Sequence, residues 1–201
     1  MPKKKYKYLV GIDEAGRGPL AGPVAVAAVK VPRKKAKQVS SILVKFNDSK
    51  KLTHLKREWW FKKIKEMQTQ GMIDFTVSFS SARTIDGRGI VYGIQSALKR
   101  SLRRLCVDPD ETYILLDGSL SAPHVYMYQE TIIKGDEKEK IIAVASIIAK
   151  VLRDRRMITY ERKFQNYGFE QHKGYGTRAH YRAIAKCGLC EIHRRSFVKY
   201  L

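Results

Sequence analysis

Two carboxylates stand side by side at Asp13-Glu14, and two more acids, Asp117 and Asp136, follow short apolar runs far along the chain. Asp13-Glu14 closes the run Tyr8–Ile12, Asp117-Gly118 closes Thr112–Leu116, and Lys134-Gly135-Asp136 closes Val125–Ile133. Turns favour aspartate, so any one acid in such a place is ordinary. Three strand-like runs that each end on an acid place carboxylates where loops leave a rigid sheet. If those ends are neighbours, the carboxylates converge, and cations must relieve their repulsion. Oxygen-only donors select hard ions, Mg²⁺ or Mn²⁺. Two such ions about 4 Å apart activate a water and stabilise a leaving 3′ oxygen, which is the chemistry of phosphodiester hydrolysis. One geometric condition applies. Adjacent strand residues point to opposite faces, so Asp13 and Glu14 share a site only if the strand stops and the chain turns, or if one lends its backbone carbonyl. Ala15-Gly16 supplies such a turn.

The residues that follow, Gly16-Arg17-Gly18 and then two prolines among small residues, suit a loop that something approaches closely. Glycine leaves backbone open to a ligand, and an arginine fork matches a phosphate. The charge balance agrees. Lys and Arg number 40 against 19 Asp and Glu, a net charge of +21 in 201 residues. That excess points to a polyanion, nucleic acid ahead of an anionic membrane surface. With 44% hydrophobic residues the chain can bury one domain's core. Cys106, Cys187 and Cys190 are too few, and odd in number, for a disulfide framework, and they suit a reducing compartment. Cys187-x-x-Cys190 with His193 nearby is a single CxxC without a second pair, a weak zinc signal. No run approaches the ~18 apolar residues of a membrane span, and the N-terminus lacks the apolar stretch of a signal peptide. A cytoplasmic protein with no membrane partner is expected.

The elements that must position these groups are legible in outline. Val24–Val31, rich in Val and Ala, is a second strand closed by Pro32, and Arg33–Lys37 is a basic loop. Thr53 caps a helix carrying Leu55, Trp59, Trp60, Ile64 and Met67, with the two tryptophans as rim and core rather than base-stacking platforms. Phe75, Val77 and Phe79 alternate as a third strand. Ile90, Ile94, Leu98, Leu102 and Leu105 mark one face of a long helix flanked by Lys99, Arg100, Arg103 and Arg104. Ile141–Arg156 is helical, and Thr177 caps a last helix that Gly188 terminates. His172, His180 and His193 are too scattered for metal ligands and suit loop hydrogen bonds or phosphate contacts. Interleaved strands and helices make a mixed α/β domain.

Six stretches, in order, resemble the motifs of the ribonuclease HII family, the type 2 RNase H proteins. They are GIDEAGRGPLAGPVAVAAV from Gly11, NDSKKLT (Asn47–Thr53), LLDG (Leu115–Gly118), KGDEKEKIIAVASIIAKVLRDR (Lys134–Arg155), HKGYGT (His172–Thr177) and HRRSF (His193–Phe197). The resemblance runs from about residue 8 to 197. It implies an RNase H-like mixed sheet flanked by helices, as a single domain over 1–201, with a small C-terminal helical extension (about 157–201) that contributes to substrate binding. It also implies a monomer that cuts RNA in RNA–DNA hybrids and incises duplex DNA at embedded ribonucleotides, leaving 3′-hydroxyl and 5′-phosphate ends. Carried over by motif, the catalytic and metal-binding acids are Asp13, Glu14, Asp117 and Asp136, with Mg²⁺ or Mn²⁺ as cofactor. Asp154 is a rival for the fourth place, but pairing with Arg153, Arg155 or Arg156 is its ordinary explanation. Gly16-Arg17-Gly18 resembles the family's ribose-reading loop, whose backbone can bond a 2′-hydroxyl. Tyr175 resembles its aromatic partner, packed on the deoxyribose after the ribonucleotide. Lys50, Ser146 and Lys150 match positions that hold phosphates. Cys187 and Cys190 fall where the family has small or apolar residues. Ribonuclease HIII is the nearest alternative. A non-catalytic hybrid-binding protein is the alternative from another class, and it would not need the acids.

Overall fold

The structure, a computed structural model, describes residues 6–43 and 52–198. Its centre is a five-stranded sheet of β1 (Tyr8–Ala15), β2 (Val24–Pro32), β3 (Asp74–Ser80), β4 (Thr112–Asp117) and β5 (Gln129–Ile132), in the order β3-β2-β1-β4-β5. β1 runs antiparallel to β2 and parallel to β4, and β5 is parallel to β4. The C-terminal ends of β1, β3, β4 and β5 therefore share one edge of the sheet with the start of β2. Helices α1 (Ala36–Ile42), α2 (His54–Thr69), α3 (Ala82–Arg104), α4 (Gly135–Lys138), α5 (Lys140–Lys163), α6 (Phe169–His172) and α7 (Arg178–Cys187), with short 3₁₀ turns at Arg33–Lys35, Pro109–Glu111 and Arg195–Phe197, complete the described elements.

Residue parity divides the core. Val24, Val26 and Ala28 of β2 pack with Val10 and Ile12 of β1 against Ile94, Leu98 and Leu102 of α3. Ala27, Val29 and Val31 face the other way, onto α2 and α5. α5 is buried over most of its first half because it is covered by the sheet below and α2 outside. It lies unusually close to β1, since a Cβ on Gly11 would meet the Ile141 carbonyl carbon at 2.6 Å. Gly11 and Asp13 share a parity, so this contact brings α5 over the face that carries Asp13.

The capping residues act as expected. Thr53 accepts from the Lys56 N–H and Thr177 from the His180 N–H, while Gly188 ends α7 with φ 74°. Trp60 is buried and Trp59 exposed on the same helix. Other expectations need correction. β1 does not stop at Ile12 but continues to Ala15, because β2 pairs with it throughout, Asp13 with Ala27 and Glu14 with Val26. The basic stretch after Pro32 is a 3₁₀ turn leading into α1, fixed by the burial of Val39 and Leu43. β5 is half the expected length. The Tyr126 N–H closes a turn on the Pro123 carbonyl, so pairing with β4 begins only at Gln129. The expected helix face from Ile90 holds, and α3 extends it back to Ala82 across a break at Gly89, where φ is 82°.

The loop from Gly16 to Pro23 is largely buried yet irregular, and buried carbonyls need donors. Two fully buried arginines provide them. Arg194 donates to the carbonyls of Gly16 (2.6 Å), Arg17 (2.9 Å) and Gly22 (2.9 Å). Arg153, from α5, donates to Pro23 (3.0 Å), Ala21 (3.3 Å) and Lys173 (3.0 Å). Gly16 stands at φ 91°, and a Cβ there would fall 1.9 Å from Arg153 Nε. Gly18 has nothing within 4 Å of its Cβ position. The two glycines of one motif therefore do different work. Gly16→Ala should cost about 3 kcal/mol, from a strained backbone and a displaced guanidinium, lowering Tm by roughly 6–12 °C. Gly18→Ala should stay within about 1 kcal/mol of the parent. Urea denaturation of the metal-free variants checks both, and equal effects at the two positions would contradict this division.

Candidate active site

The parallel register of β1 with β4 ends at Ile12 opposite Leu116. Asp13 and Asp117 are the next residue on each strand, so they stand level at the sheet edge. Asp13 is 5% exposed and lies towards α5, where the Ser146 hydroxyl bonds its carboxylate. Its Oδ1 also accepts the Glu14 N–H at 2.7 Å. Burial first, then the charges of Glu14 and Asp117, pushes the Asp13 carboxyl well above the usual carboxylate range, against the pull of those hydrogen bonds. Glu14 is raised too, by burial foremost. Arg17, with Nη1 3.6 Å from its Oε1, draws it down, and Asp117 pushes it up again. Asp13, Glu14 and Asp117 thus share one electrostatic neighbourhood, although Asp13 and Glu14 alternate on a continuous strand.

Asp117 is tied to the turn that bears the fourth acid. Its Oδ1 accepts the N–H groups of Gly135 (2.6 Å) and Asp136 (3.4 Å). Asp136 begins the short α4 behind the left-handed Lys134 and is buried. Among the described residues, no three His, Cys, Asp or Glu side chains stand close enough to hold an ion as a ready cage. The four acids are gathered at one edge without being closed around a point. The donor set is nonetheless all oxygen, and its two flanking carboxyls are already pressed towards protonation. A hard divalent cation suits such a set.

A cleft of about 350 Å³ opens beside the acids, lined by Glu14 and the Gly16-Arg17-Gly18 loop on one side. Arg57, Ser146, Lys150 and Tyr175 line the other. The charged groups of its lining are therefore one carboxylate, Glu14, and three cations, Arg17, Arg57 and Lys150. Lys150 Nζ sits 3.0 Å from Asp154 Oδ1 and 5.5 Å from the centre of the Tyr175 ring, which is 42% exposed. Asp154 pairs with Lys150 and stands 3.9 Å from Arg153. Arg155 turns instead to Glu58 at 2.5 Å, and Arg156 lies over Phe79. The arginine pairing expected for Asp154 thus holds for Arg153 alone, because the helix aims its neighbours outward. Ser146 serves Asp13 directly, and Lys50 lies outside the described residues. Cys187 and Cys190 are free thiols. Arg57, Arg153 and Arg194 were missed as site residues. Each sits in a basic stretch that sequence alone assigns to a solvated surface.

Residues 10–200 match the family model of ribonuclease HII. The chain is 45% identical over 196 residues to the ribonuclease HII of Clostridioides difficile (strain 630), covering 98% of this chain and 72% of that one. It is similar in structure to the ribonuclease H2 of Pyrococcus horikoshii OT3, with a TM-score of 0.70 and 26% identity over 94% of this chain and 93% of the other. It is also similar to the RNase HII of Archaeoglobus fulgidus, solved as a complex with PCNA, with a TM-score of 0.69 and 26% identity over 93% of each chain. The mixed sheet with helices on both faces is the RNase H fold of these neighbours, and no helix among the described residues is long and apolar enough to cross a membrane. The chain belongs to the ribonuclease HII family and is a ribonuclease H, a hydrolase that cuts endonucleolytically in RNA–DNA hybrids.

Proposed function

We propose that this ribonuclease H works with Mg²⁺ or Mn²⁺ held by Asp13, Glu14, Asp117 and Asp136. We further propose that it incises duplex DNA on the 5′ side of embedded ribonucleotides, leaving 3′-hydroxyl and 5′-phosphate ends. The observation that carries this reading is the coupling of Asp13, Glu14 and Asp117 at one sheet edge, beside a cleft whose other charged lining residues, Arg17, Arg57 and Lys150, are cations. When bound, a pair of divalent ions supplies Lewis-acid polarisation of the phosphodiester and a water acidic enough to attack near neutral pH. The chain's own residues do the rest. Asp13, held by Ser146 and the Glu14 N–H, presents a fixed carboxylate. Asp117 keeps the Asp136 turn against the same edge. Arg17, Arg57 and Lys150 give the phosphate backbone its counter-charge along the cleft, with Lys50 assigned by motif alone.

Ribonucleotide reading falls to the loop and the aromatic. The Gly16 and Arg17 carbonyls already accept from Arg194, so their N–H side is what a 2′-hydroxyl finds, and open space at Gly18 admits the sugar. Tyr175, across the cleft, packs on the next deoxyribose. The segment from about 157 to 201 contributes through this residue and through Arg194. All these groups come from one chain, which suits a monomer.

Asp13→Asn and Asp117→Asn should each lower single-turnover cleavage of a hybrid by at least ~10³, about 4 kcal/mol of transition-state stabilisation. Near-parental cutting by either variant would sink the assignment. The metal-free protein gives an independent check. A carboxyl whose folded pKa lies above its unfolded value, about 3.9 for Asp, costs stability as pH rises between the two. Asp13→Asn should therefore raise the Tm of metal-free protein near neutral pH, and the gain should shrink as pH falls towards 4. Added Mn²⁺ should stabilise the parent more than the variant. A thermal series in pH, with and without Mn²⁺, reads all three.

Tyr175→Ala should reduce cutting at a single-ribonucleotide junction by about tenfold to a hundredfold, the usual loss for a stacking platform at ~1–3 kcal/mol. Duplex affinity in Ca²⁺ should change far less. Unaltered junction cleavage would mean that the ring only covers the core.

A further inference from the structure

Three histidines meet behind the Tyr175 loop, and their hydrogen bonds run in one direction. His193 Nδ1 accepts the Cys190 N–H at 3.0 Å, with the Cys190 thiol 3.1 Å away as a second donor. A ring nitrogen that accepts carries no proton, so neutral His193 bears its proton on Nε2. That Nε2 lies 3.0 Å from His180 Nε2, which must then accept. The His180 proton is thereby placed on Nδ1, 2.9 Å from the Tyr175 carbonyl. Both rings are buried, 0% and 2% exposed. Burial holds His180 down at about 4 and depresses His193 as well, so the neutral forms persist through the working range.

The two ends of this chain belong to the two sides of the cleft. His193 forms a β-bridge with Ala21, flanked by Gly22 N–H to the Ile192 carbonyl and Arg194 N–H to the Leu20 carbonyl, both within 2.8 Å. It therefore moves with the glycine loop. His180 sits in the first turn of α7 with its own N–H on the capping Thr177 hydroxyl. His172 stacks on His180 at 4.3 Å, donates to the Tyr167 carbonyl at 2.7 Å and accepts the Gly174 N–H at 3.2 Å. The Tyr175 carbonyl thus carries a bond from His180 besides the Thr177 N–H at 2.8 Å.

We propose that His193 and His180 are positioning residues that couple the glycine loop to Tyr175 through this directed bond chain, and so set the enzyme's preference for a ribonucleotide–deoxyribonucleotide junction over a uniform hybrid. The proposal rests on the junction role given to Tyr175 above. A purely structural polar core would stabilise the fold without favouring one substrate, and that difference is measurable.

Two replacements separate the ring nitrogens. His180→Asn keeps an amide donor near the Nδ1 place, and His180→Gln carries its amide out towards the Nε2 place. In single-turnover assays, His180→Gln should lower junction cleavage about tenfold, the effect of one lost buried hydrogen bond. It should leave uniform-hybrid cleavage within about twofold, and His180→Asn should restore most of the junction rate. In a Tyr175→Ala background, His180→Gln should have no further effect on the junction. Equal losses on both substrates, or a full additional loss in that background, would overturn the proposal. If Tyr175→Ala loses junction cleavage but His180→Gln does not, the coupling is wrong and the reading of Tyr175 stands. If Tyr175→Ala loses nothing, that reading falls and takes the coupling with it. Nitrogen-15 imidazole spectra of the unaltered protein give a readout apart from activity. The Nδ1–H form of His180 and the Nε2–H form of His193 are expected, and the opposite tautomers would overturn the direction of the chain.

Discussion

Two buried guanidinium groups hold the loop on which the site depends. Arg153 and Arg194 reach it from α5 and from the C-terminal segment, and between them they satisfy six backbone carbonyls. Removing two cations from water is expensive. Burial together with the charge of Arg153 pulls Arg194 down to about 9. The planar fork, with several donors in fixed directions, answers that cost in a way a lysine's single ammonium does not. The alternative is a buried, irregular loop with carbonyls left unpaired, each worth about 1–3 kcal/mol of penalty. An irregular loop is what the site requires. A strand continued past Ala15 would have carried Arg17 and Gly18 away from the cleft.

The same edge of the molecule holds opposite electrostatic problems a few residues apart. Asp13 and Glu14 are carboxylates that burial pushes towards neutrality, and Arg194 is a cation pushed the same way. Neither problem is solved by pairing one with the other. The arginines are spent on carbonyls, and the acids face Ser146, Arg17 and one another. This separation keeps the carboxylates available to a ligand cation. Had Arg153 closed on Asp13, the site would have been a structural ion pair. Asp154 shows the difference, since Lys150 and Arg153 already flank it.

Much of this was legible in the sequence, and the rest was hidden for physical reasons. Strand ends marked by acids, the caps at Thr53 and Thr177 and the helix end at Gly188 depend on local chemistry, which short stretches carry. The end of β1 was misplaced because pairing with β2 is a long-range fact. Asp13-Glu14 resembles a strand stop until Val26 and Ala27 are known to lie opposite. α1 was hidden because the basic residues Arg33–Lys35 ahead of it and Lys37 within it outweigh the burial of Val39. The sequence does not separate Gly16 from Gly18, yet a Cβ on Gly16 would meet the Arg153 guanidinium while one on Gly18 would meet nothing within 4 Å. Arg153 lies among three basic residues in four positions, Arg153 to Arg156 with Asp154 among them, where no pattern tells a buried arginine from a solvated one.

On the proposed reading, charge and discrimination are carried by different parts of the molecule. A net charge of +21 draws any nucleic acid duplex, and that attraction is blind to a 2′-hydroxyl. Telling one sugar from the next requires groups fixed to within a fraction of a hydrogen-bond length, and mobile lysines cannot supply that. Residues 16 to 22, 172 to 177 and 192 to 194 are far apart in the chain, yet they are joined by backbone bonds from Leu20 and Ala21 to Gly174 and from Arg194 to Leu20. The Gly174 Cα is part of that closeness, since a Cβ there would stand 2.4 Å from the Ala21 carbonyl oxygen. Neutral histidines, buried arginines and glycines make these joints because each can lie in a dry interface without an unanswered polar group. On that reading the basic surface brings the substrate in, and the interior behind the cleft decides what is cut.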